Sequence, residues 1–223
     1  MWIEEPGDLS VVRESYDRVA DKYVEMELGD LAKYPWLRVA VDGFVEGVRG
    51  LGPVLDVGCG PGAVTAYLAE RGVDAAGVDL SPRMVEHARR DHPGLRFEVG
   101  SATEVELGES SLGGILGWWS LFNLPREIVA AVLRNFGQAL VPGGQLIIGI
   151  HQGDGEIVRT TAYGGVPVSW TTYLWQPEQL WVLLKAAGLD PVAELRVSES
   201  VAGVPSLVLV AQRPVRAGGP GEL

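Results

Sequence analysis

The sequence predicts an α/β fold built on a doubly wound, mostly parallel sheet. Three observations lead to this expectation. Between residues 53 and 150 there are five short, nearly continuous apolar segments, PVLDVG, AAGVDL, LRFEVG, GGILGWW and QLIIGI, which are typical of strands buried on both faces. Helix-like segments lie between them, and this alternation indicates βαβ units. The first of these segments runs into a glycine-rich turn, a common ligand site in such sheets.

Capping residues mark the crossover helices independently of the alternation. The segment TAYLAERG ends at Gly72, which suits the left-handed position after a helix. SPRMVEHARR begins with Ser81 as N-cap and Pro82 in the first turn. The third crossover, REIVAAVLRNFGQAL, has helical apolar spacing and precedes VPGG, which we expect to be a turn.

The pattern changes after residue 150. EIVRTTAYGGVPVSWTTYLWQ has β-branched and aromatic residues on both sides of a Gly-Gly pair, which predicts a hairpin added to the core. In its second arm, residues 168, 170, 172 and 174 share one face and residues 169, 171, 173 and 175 the other. One face must meet the body of the protein. PEQLWVLLKAAG then predicts a helix, and PVAELRVSES with SLVLVAQR an antiparallel strand pair.

Composition and charge exclude several classes of protein. The chain is 47% hydrophobic and 21% charged, as in ordinary globular proteins. Its net charge of −11 argues against a nucleic-acid partner. The single cysteine allows no internal disulfide, the first residues are not a basic leader, and no apolar stretch reaches about 18 residues. We therefore expect a cytoplasmic protein without a membrane segment, whose oligomeric state the sequence leaves open.

The glycine-rich turn CGPGA is the main functional motif. Gly58, Gly60 and Gly62 lie between the first strand and its helix, where a ligand can approach the backbone. Asp79 ends the next strand about 20 residues later, where a carboxylate can accept hydrogen bonds from ribose hydroxyls. The spacing satisfies the dinucleotide fingerprint, so NAD(P) competes with other nucleoside cofactors. Asp56, two residues before the first glycine, repels a pyrophosphate and attracts an ammonium group.

The string LDVGCGPGAVTAYLAERGVDAAGVDLSPRMVEHAR, together with VPGGQLII, resembles the class I S-adenosylmethionine-dependent methyltransferases. GILGWWSLFNLP and GIHQGDG are similar to a small-molecule, methyltransferase type 11-like bacterial subgroup. The resemblance covers residues 10 to 213. It implies a Rossmann-like fold with an N-terminal helical cap, and methyl transfer from S-adenosyl-L-methionine to a small molecule, with specialised metabolism as the expected setting.

The expected organisation is a single domain over residues 1–213. We expect a helical cap at 1–50, a cofactor-binding core at 51–150, a hairpin or lid at 151–176, and a C-terminal helix and strand pair at 177–213. Residues 214–223 are predicted to be a flexible tail.

The resemblance also implies which residues hold the cofactor. The methionine part is assigned to the turn, the ribose to Asp79 and the adenine to the residues after the second and third strands. Relatives commonly have an acid where this chain has Ser101, so we expect backbone groups near Ala102 to recognise the adenine. Two tyrosines of the N-terminal helix resemble a pair that folds over the cofactor. The full set is Tyr16, Tyr23, Asp56, Gly58, Gly60, Asp79, Leu80, Met84, Ser101, Ala102 and Trp118.

His151 is the best-placed titratable group for catalysis, because it lies at the carboxyl end of the fifth strand. It is predicted either to act as a base for a hydroxyl or ammonium acceptor, or to position the acceptor. His87 and His92 are expected to be solvated residues near a helix end, and Cys59 is not expected to be a nucleophile. No metal-ligand spacing is present.

The acceptor pocket is predicted from aromatic and polar residues near the same edge. Of Trp118 and Trp119, one should face the cofactor and the other a helix layer, and the sequence leaves open which. Aromatic residues of the hairpin either form a lid over an apolar acceptor or only pack the added strands. The predicted pocket residues are Trp119, Asn123, Tyr163 and Trp175.

Two other functions compete with a methyltransferase. An NAD(P)-dependent oxidoreductase fits the glycine spacing and Asp79, but the chain lacks a Tyr-x-x-x-Lys pair. The third alternative is a non-catalytic S-adenosylmethionine-binding domain, which would bind the donor without turning over any acceptor. The acceptor atom, whether O, N, C or S, stays open.

Overall fold

A computed structural model describes residues 9–198 and 203–215. Its centre is a seven-stranded sheet with the order β3-β2-β1-β4-β5-β9-β8. The strands are β1 (Val54–Val57), β2 (Ala75–Asp79), β3 (Arg96–Val99), β4 (Leu112–Trp118), β5 (Leu140–His151), β8 (Asp190–Val197) and β9 (Ser206–Gln212). The first five are mutually parallel, and β9 runs antiparallel to both β5 and β8. The predicted fold class is confirmed.

Helices cover both faces of this sheet. They are α1 (Leu9–Glu25), α2 (Pro35–Val48), α3 (Ala63–Glu70), α4 (Pro82–Asp91), α5 (Arg126–Ala139) and α6 (Pro177–Ala186). Neighbouring residues of β5 point to opposite faces: Ile147 packs with the α2 and α3 side chains, whereas Leu146 and Ile148 pack with those of α5 and α6. This two-sided burial explains why the strands are almost continuously apolar.

The predicted helix caps are present. Ser81 Oγ accepts a hydrogen bond of 3.1 Å from the Met84 amide at the start of α4. Gly72 follows α3 with a φ of 81°, a left-handed conformation that glycine adopts without strain. These caps fix the point at which each crossover helix returns toward the sheet.

The prediction of a turn at VPGG is wrong, because β5 begins at Leu140 and contains these residues. Gly143 has a φ of 86°, and the β4–β5 register shifts between Leu112 and Gly114. The Gly143 amide donates to Arg213 O at 2.8 Å. The strand therefore passes through an irregularity whose backbone groups remain paired.

The predicted hairpin is present. It consists of β6 (Glu156–Ala162) and β7 (Val166–Tyr173), which form a separate two-stranded sheet. Its face containing Val168, Trp170 and Thr172 is buried, and Val168 and Trp170 pack with Val19 of α1. Arg18 donates a hydrogen bond to Pro167 O at 2.8 Å. The hairpin and α1 are thereby joined to each other.

Helix α1 is also fixed to α4. Asp17 accepts hydrogen bonds from Ser81 Oγ at 2.6 Å and from the Arg83 amide at 3.1 Å. His87 Nε2 lies 2.7 Å from Asp21 Oδ1. The expectation that His87 is solvated is wrong, because it faces α1 and is only 7% exposed. His92 is the half-buried C-cap of α4.

No helix within the described residues is both long enough and apolar enough to cross a membrane. Of the predicted flexible tail, residues 214–223, the part from residue 216 onward lies outside the described residues.

Candidate active site

A cavity of about 420 Å³ lies at the carboxyl ends of β1, β2, β4 and β5, beneath α1 and the hairpin. Its volume suits a small-molecule ligand. Nearly all residues predicted for the site line this cavity: Tyr16, Tyr23, Asp56, Gly58, Gly60, Asp79, Leu80, Met84, Ser101, Ala102, Trp118, Trp119, Asn123, His151 and Tyr163. Residues far apart in sequence therefore meet at the edge that the strand pattern predicts.

Backbone geometry requires glycine in the turn after β1. Gly58 has a φ of 77°, and a Cβ atom there would lie 2.1 Å from the Cβ of Ser120. Ser120 itself donates to Val57 O at 2.5 Å, which joins the loop after β4 to the end of β1. The absence of a side chain at Gly58 thus allows two neighbouring strand ends to approach closely.

Asp56 is a buried carboxylate with one unsatisfied oxygen. Asp56 is 1% exposed, and its Oδ2 accepts a hydrogen bond of 2.7 Å from Thr65 Oγ1. Oδ1 has no partner within residues 9–198 and 203–215. Burial raises the pKa of Asp56 to about 7, against the opposing hydrogen bond from Thr65. A cationic donor bound at Oδ1 would relieve both the missing hydrogen bond and the desolvation cost.

Asp79 connects the turn to the end of β2. Its Oδ2 accepts a hydrogen bond from the Gly60 amide and its Oδ1 one from the Ser81 amide, each at 2.8 Å. Burial raises the pKa of Asp79 to about 6, although these two hydrogen bonds oppose the rise. Each carboxylate oxygen can accept a further hydrogen bond, so Asp79 can still bind hydroxyl groups.

The hydroxyl of Ser101 is used within its own turn. Ser101 Oγ lies 2.7 Å from Thr103 Oγ1 and also accepts a hydrogen bond from the Thr103 amide at 3.2 Å. Met84, 2% exposed, forms part of the neighbouring wall. The hydroxyl of Ser101 is therefore engaged in local hydrogen bonds, and Ala102 beside it also lines the cavity.

The cover of the cavity is an aromatic and hydrogen-bonded unit. The Tyr16 ring stacks on Trp170 with centroids 4.7 Å apart and planes 2° apart. Tyr16 Oη donates to Asn123 Oδ1 at 2.8 Å, and Asn123 Nδ2 donates to Thr171 O at 3.0 Å. Burial raises the pKa of Tyr16 well above its ordinary value. The neutral phenol therefore joins α1, the loop after β4 and the hairpin.

A second aromatic contact in the cover joins Tyr23 and Tyr163, whose rings meet edge to face with centroids 5.2 Å apart. Burial raises the pKa of Tyr163 to about 12 and that of Tyr23 still further. Both phenols are therefore neutral hydrogen-bonding groups.

His151 is a buried, neutral imidazole at the end of β5. Its ring meets Phe122 with centroids 4.8 Å apart and Trp119 at 6.4 Å. Burial, and secondly the charge of Arg159, lower the pKa of His151 to about 4. Its Nδ1 has no partner in the described part of the chain. This imidazole can exchange a hydrogen bond with a ligand and carries no charge at neutral pH.

The expectation that Trp118 and Trp119 face different layers is wrong, since both line the cavity. Trp119 has a φ of 50°, so the chain leaves the alternation of β4 at this residue. The two rings meet edge to face, with centroids 4.8 Å apart.

Trp175 is the predicted pocket residue that the structure does not place at the cavity. It is 2% exposed and packs in the core beside α5 and α6. The Arg126 guanidinium lies 4.4 Å from its ring centroid. The face alternation fails because β7 ends at Tyr173, after which the Trp175 amide donates to His151 O at 3.1 Å.

Several cavity residues were not predicted as site residues. Trp170 belongs to the buried face of the hairpin, so the alternation of residues along its strand could have indicated that it lines the cavity. Arg159 had no signal of its own, because its position depends on the pairing of β6 with β7. The unpredicted lining includes Leu9, Val12, Ser120, Phe122, Arg159 and Trp170.

The cysteine of the glycine turn and the grouping of metal-ligating side chains bear on two other kinds of chemistry. Cys59 is buried, and burial raises the pKa of its thiol well above its ordinary value. In residues 9–198 and 203–215, no three His, Cys, Asp or Glu side chains group as metal ligands.

Comparison with known families and relatives gives the context of this site. A methyltransferase domain model matches residues 54–144. The demethylmenaquinone methyltransferase of Renibacterium salmoninarum is 28% identical over 205 residues, covering 88% of this chain and 78% of the relative. Other relatives with that name are matched over only about half of their own length, 45% and 57%.

Two solved structures share the fold. Burkholderia thailandensis 1,6-didemethyltoxoflavin-N1-methyltransferase, with bound 1,6-didemethyltoxoflavin and S-adenosylhomocysteine, has a TM-score of 0.72 and 24% identity, covering 96% of this chain and 92% of that one. Magnesium protoporphyrin IX methyltransferase from Synechocystis, with bound S-adenosylmethionine, has a TM-score of 0.68 and 17% identity, covering 95% and 100%. At these identities the likeness establishes the architecture.

Proposed function

Because the chain belongs to the class I S-adenosyl-L-methionine-dependent methyltransferases, we propose that this cavity transfers a methyl group to a small molecule bound beneath the hairpin. The observation that carries the proposal is the unpaired, buried oxygen of Asp56 beside the glycine turn. A dinucleotide would bring a pyrophosphate to this carboxylate, whereas a methionine moiety brings an ammonium group.

The donor end of the cavity fits the parts of S-adenosylmethionine. Asp56 receives the ammonium group, Asp79 the ribose hydroxyls, and the walls at Leu80 and Met84 the adenine. When bound, the donor supplies a methyl group on a positively charged sulfur. The indole faces of Trp118 and Trp119 provide a wall that attracts such a cation and keeps water away from it.

The acceptor end is the region between His151, Phe122, Asn123 and the hairpin. Methyl transfer is an in-line displacement, so holding the two reactants in contact can account for most of the rate. His151, neutral and buried, contributes a hydrogen-bonding nitrogen that orients the acceptor. The names of the relatives, which include demethylmenaquinone and 1,6-didemethyltoxoflavin methyltransferases, support a small-molecule acceptor.

Ligand binding tests the donor assignment directly. We expect S-adenosylmethionine and S-adenosylhomocysteine to bind with micromolar dissociation constants in calorimetry, and NAD(P) not to bind. Asp56→Asn should weaken binding, whereas Asp74→Asn, at an exposed carboxylate paired with Arg96, should not. Tight NADH binding without any response to S-adenosylhomocysteine would contradict the proposal.

Transfer itself is tested with labelled donor and fractionated cell extract. We expect a labelled small molecule to form with the native protein and to be absent when Asp56→Asn replaces it. Donor binding with no labelled product in any fraction would instead favour a non-catalytic donor-binding domain.

A further inference from the structure

The acceptor end of the cavity contains a cationic side chain that has no partner among the residues the structure describes. Arg159 of β6 is half-buried and lines the cavity. The structure shows no hydrogen bond or ion pair from its guanidinium to residues 9–198 or 203–215. Two other arginines near the hairpin are held by backbone carbonyls, Arg18 by Pro167 O and Arg126 by Gly155 O. Arg159 is therefore the hairpin-region cation that remains available to a ligand.

Strand pairing directs Arg159 inward. It lies opposite Trp170 in the β6–β7 ladder, and residues opposite each other in an antiparallel pair share a face. Trp170 is 7% exposed and stacks on Tyr16, whereas the preceding residue on β6, Val158, is 69% exposed. The Arg159 side chain thus lies on the covered face of the hairpin.

The charges around Arg159 favour an anion. In the described part of the chain it is the only lysine or arginine that lines the cavity. Its charge adds to the effect of burial in lowering the pKa of His151 and opposes the rise that burial causes in the pKa of Tyr163. His151 is uncharged at neutral pH and does not compete for an anion. Asp56 and Asp79, which would repel one, both belong to the glycine-turn end. The cavity therefore has two acidic side chains, on β1 and β2, and, among the described residues, one basic side chain, on the hairpin.

We propose that Arg159 binds an oxyanion of the acceptor, which makes the acceptor a small, mainly apolar molecule that carries a carboxylate, phenolate or enolate. A guanidinium forms short, charge-assisted hydrogen bonds with such groups, and their strength increases away from bulk water. The surrounding wall of Trp119, Phe122 and Trp170 accommodates the apolar part. This inference rests on the proposed function, which assigns the opposite end of the cavity to the donor.

The test compares an anion with a neutral molecule of the same shape. Protein saturated with S-adenosylhomocysteine is titrated by calorimetry with 1-naphthoate and 1-naphthamide, and with the smaller pair benzoate and benzamide. We expect at least one anion to bind tenfold or more tightly than its amide. Arg159→Gln should abolish the preference, and Arg159→Lys should retain part of it. Arg134→Gln, which removes an exposed charge from α5, should leave it unchanged.

Three results would overturn the inference: no preference for either anion in the native protein, an unchanged preference in Arg159→Gln, or displacement of S-adenosylhomocysteine by the anions. Thermal melting of both Arg159 variants verifies that they fold. The donor affinity, measured separately, should differ by less than twofold between Arg159→Gln and the native protein. Failure of the native protein to bind S-adenosylhomocysteine would contradict the proposed function. In that case the same anion titrations, carried out without S-adenosylhomocysteine, still decide whether Arg159 binds anions.

Discussion

Replacing Asp56 with asparagine should stabilise the ligand-free protein while weakening its affinity for the donor. In the native chain the carboxylate is buried and one oxygen has no partner among the described residues. Asparagine keeps the shape of the side chain and an oxygen that can accept the hydrogen bond from Thr65, but it carries no charge. The substitution therefore removes the electrostatic cost of the site together with its attraction for an ammonium group.

The magnitude follows from the pKa. Burial raises the pKa of Asp56 from 3.8 to about 7, and this difference corresponds to about 4 kcal/mol at about 1.36 kcal/mol per unit. The folded state holds the proton more tightly than the unfolded state, so this contribution lowers stability as pH rises from about 4 to about 7. An unsatisfied amide in the variant costs about 1–3 kcal/mol. The net gain at pH 8 is then about 1–3 kcal/mol, or roughly 2–12 °C in melting temperature.

The assay is thermal and denaturant unfolding of ligand-free native protein and Asp56→Asn at pH 8 and pH 5. At pH 5 the native carboxyl is mostly protonated, so the advantage of asparagine should shrink by about 2–3 kcal/mol. Asp74→Asn, at an exposed carboxylate, should show neither effect. Lower stability of Asp56→Asn at pH 8, or an advantage independent of pH, would refute the argument that burial of the charge is costly here.

Three further predictions concern individual contacts. Asp79→Ala should weaken S-adenosylhomocysteine binding by about 1.5–3 kcal/mol, through lost hydrogen bonds to a charged group, without unfolding the chain; calorimetry and circular dichroism test this, and unchanged affinity would place the ribose elsewhere. Because the pKa of His151 is lowered to about 4, kcat should show no acidic limb from this imidazole above about pH 5, and His151→Gln should mainly raise the acceptor KM. An acidic limb that vanishes in His151→Gln would instead assign it as a base. Tyr16→Phe leaves Asn123 Oδ1 without its donor and should lower the free energy of unfolding by about 1–3 kcal/mol; an unchanged denaturant midpoint would show that the bond is not formed.

Local patterns were enough to predict most of the fold. Apolar runs located the strands of the parallel sheet, and capping residues such as Ser81 located the helices, because both depend on interactions within a few residues. The errors occurred where the backbone leaves a regular conformation. VPGG has the composition of a turn, but Gly143 adopts its left-handed conformation within a paired strand. Trp119 likewise has a positive φ, so the alternation of β4 ends there and both Trp118 and Trp119 line the cavity.

The prediction of the site was strongest where the chain itself keeps the residues together. Asp56, Gly58 and Gly60 belong to one strand and its turn, and Asp79 ends the adjacent parallel strand, so sheet topology alone places them at one edge. The prediction for His87 is wrong because its burial depends on α1, which lies more than 60 residues away in sequence. The prediction for Trp175 is wrong because the strand ends two residues earlier than the alternation assumes.

By itself the sequence determined the parallel sheet, the glycine turn and the acidic residues beside it, since these depend on local spacing and on the periodicity of strands and helices. The class of cofactor followed from the family that these motifs resemble. The tertiary structure alone decided how α1 and the hairpin close the cavity and which face of the hairpin is covered. It also decided that Arg159, which has no partner among the described residues, lines the same cavity as Asp56 and Asp79. The physical reason is that charge, burial and pKa depend on every group that packs around a side chain, and those groups come from parts of the chain that only folding brings together.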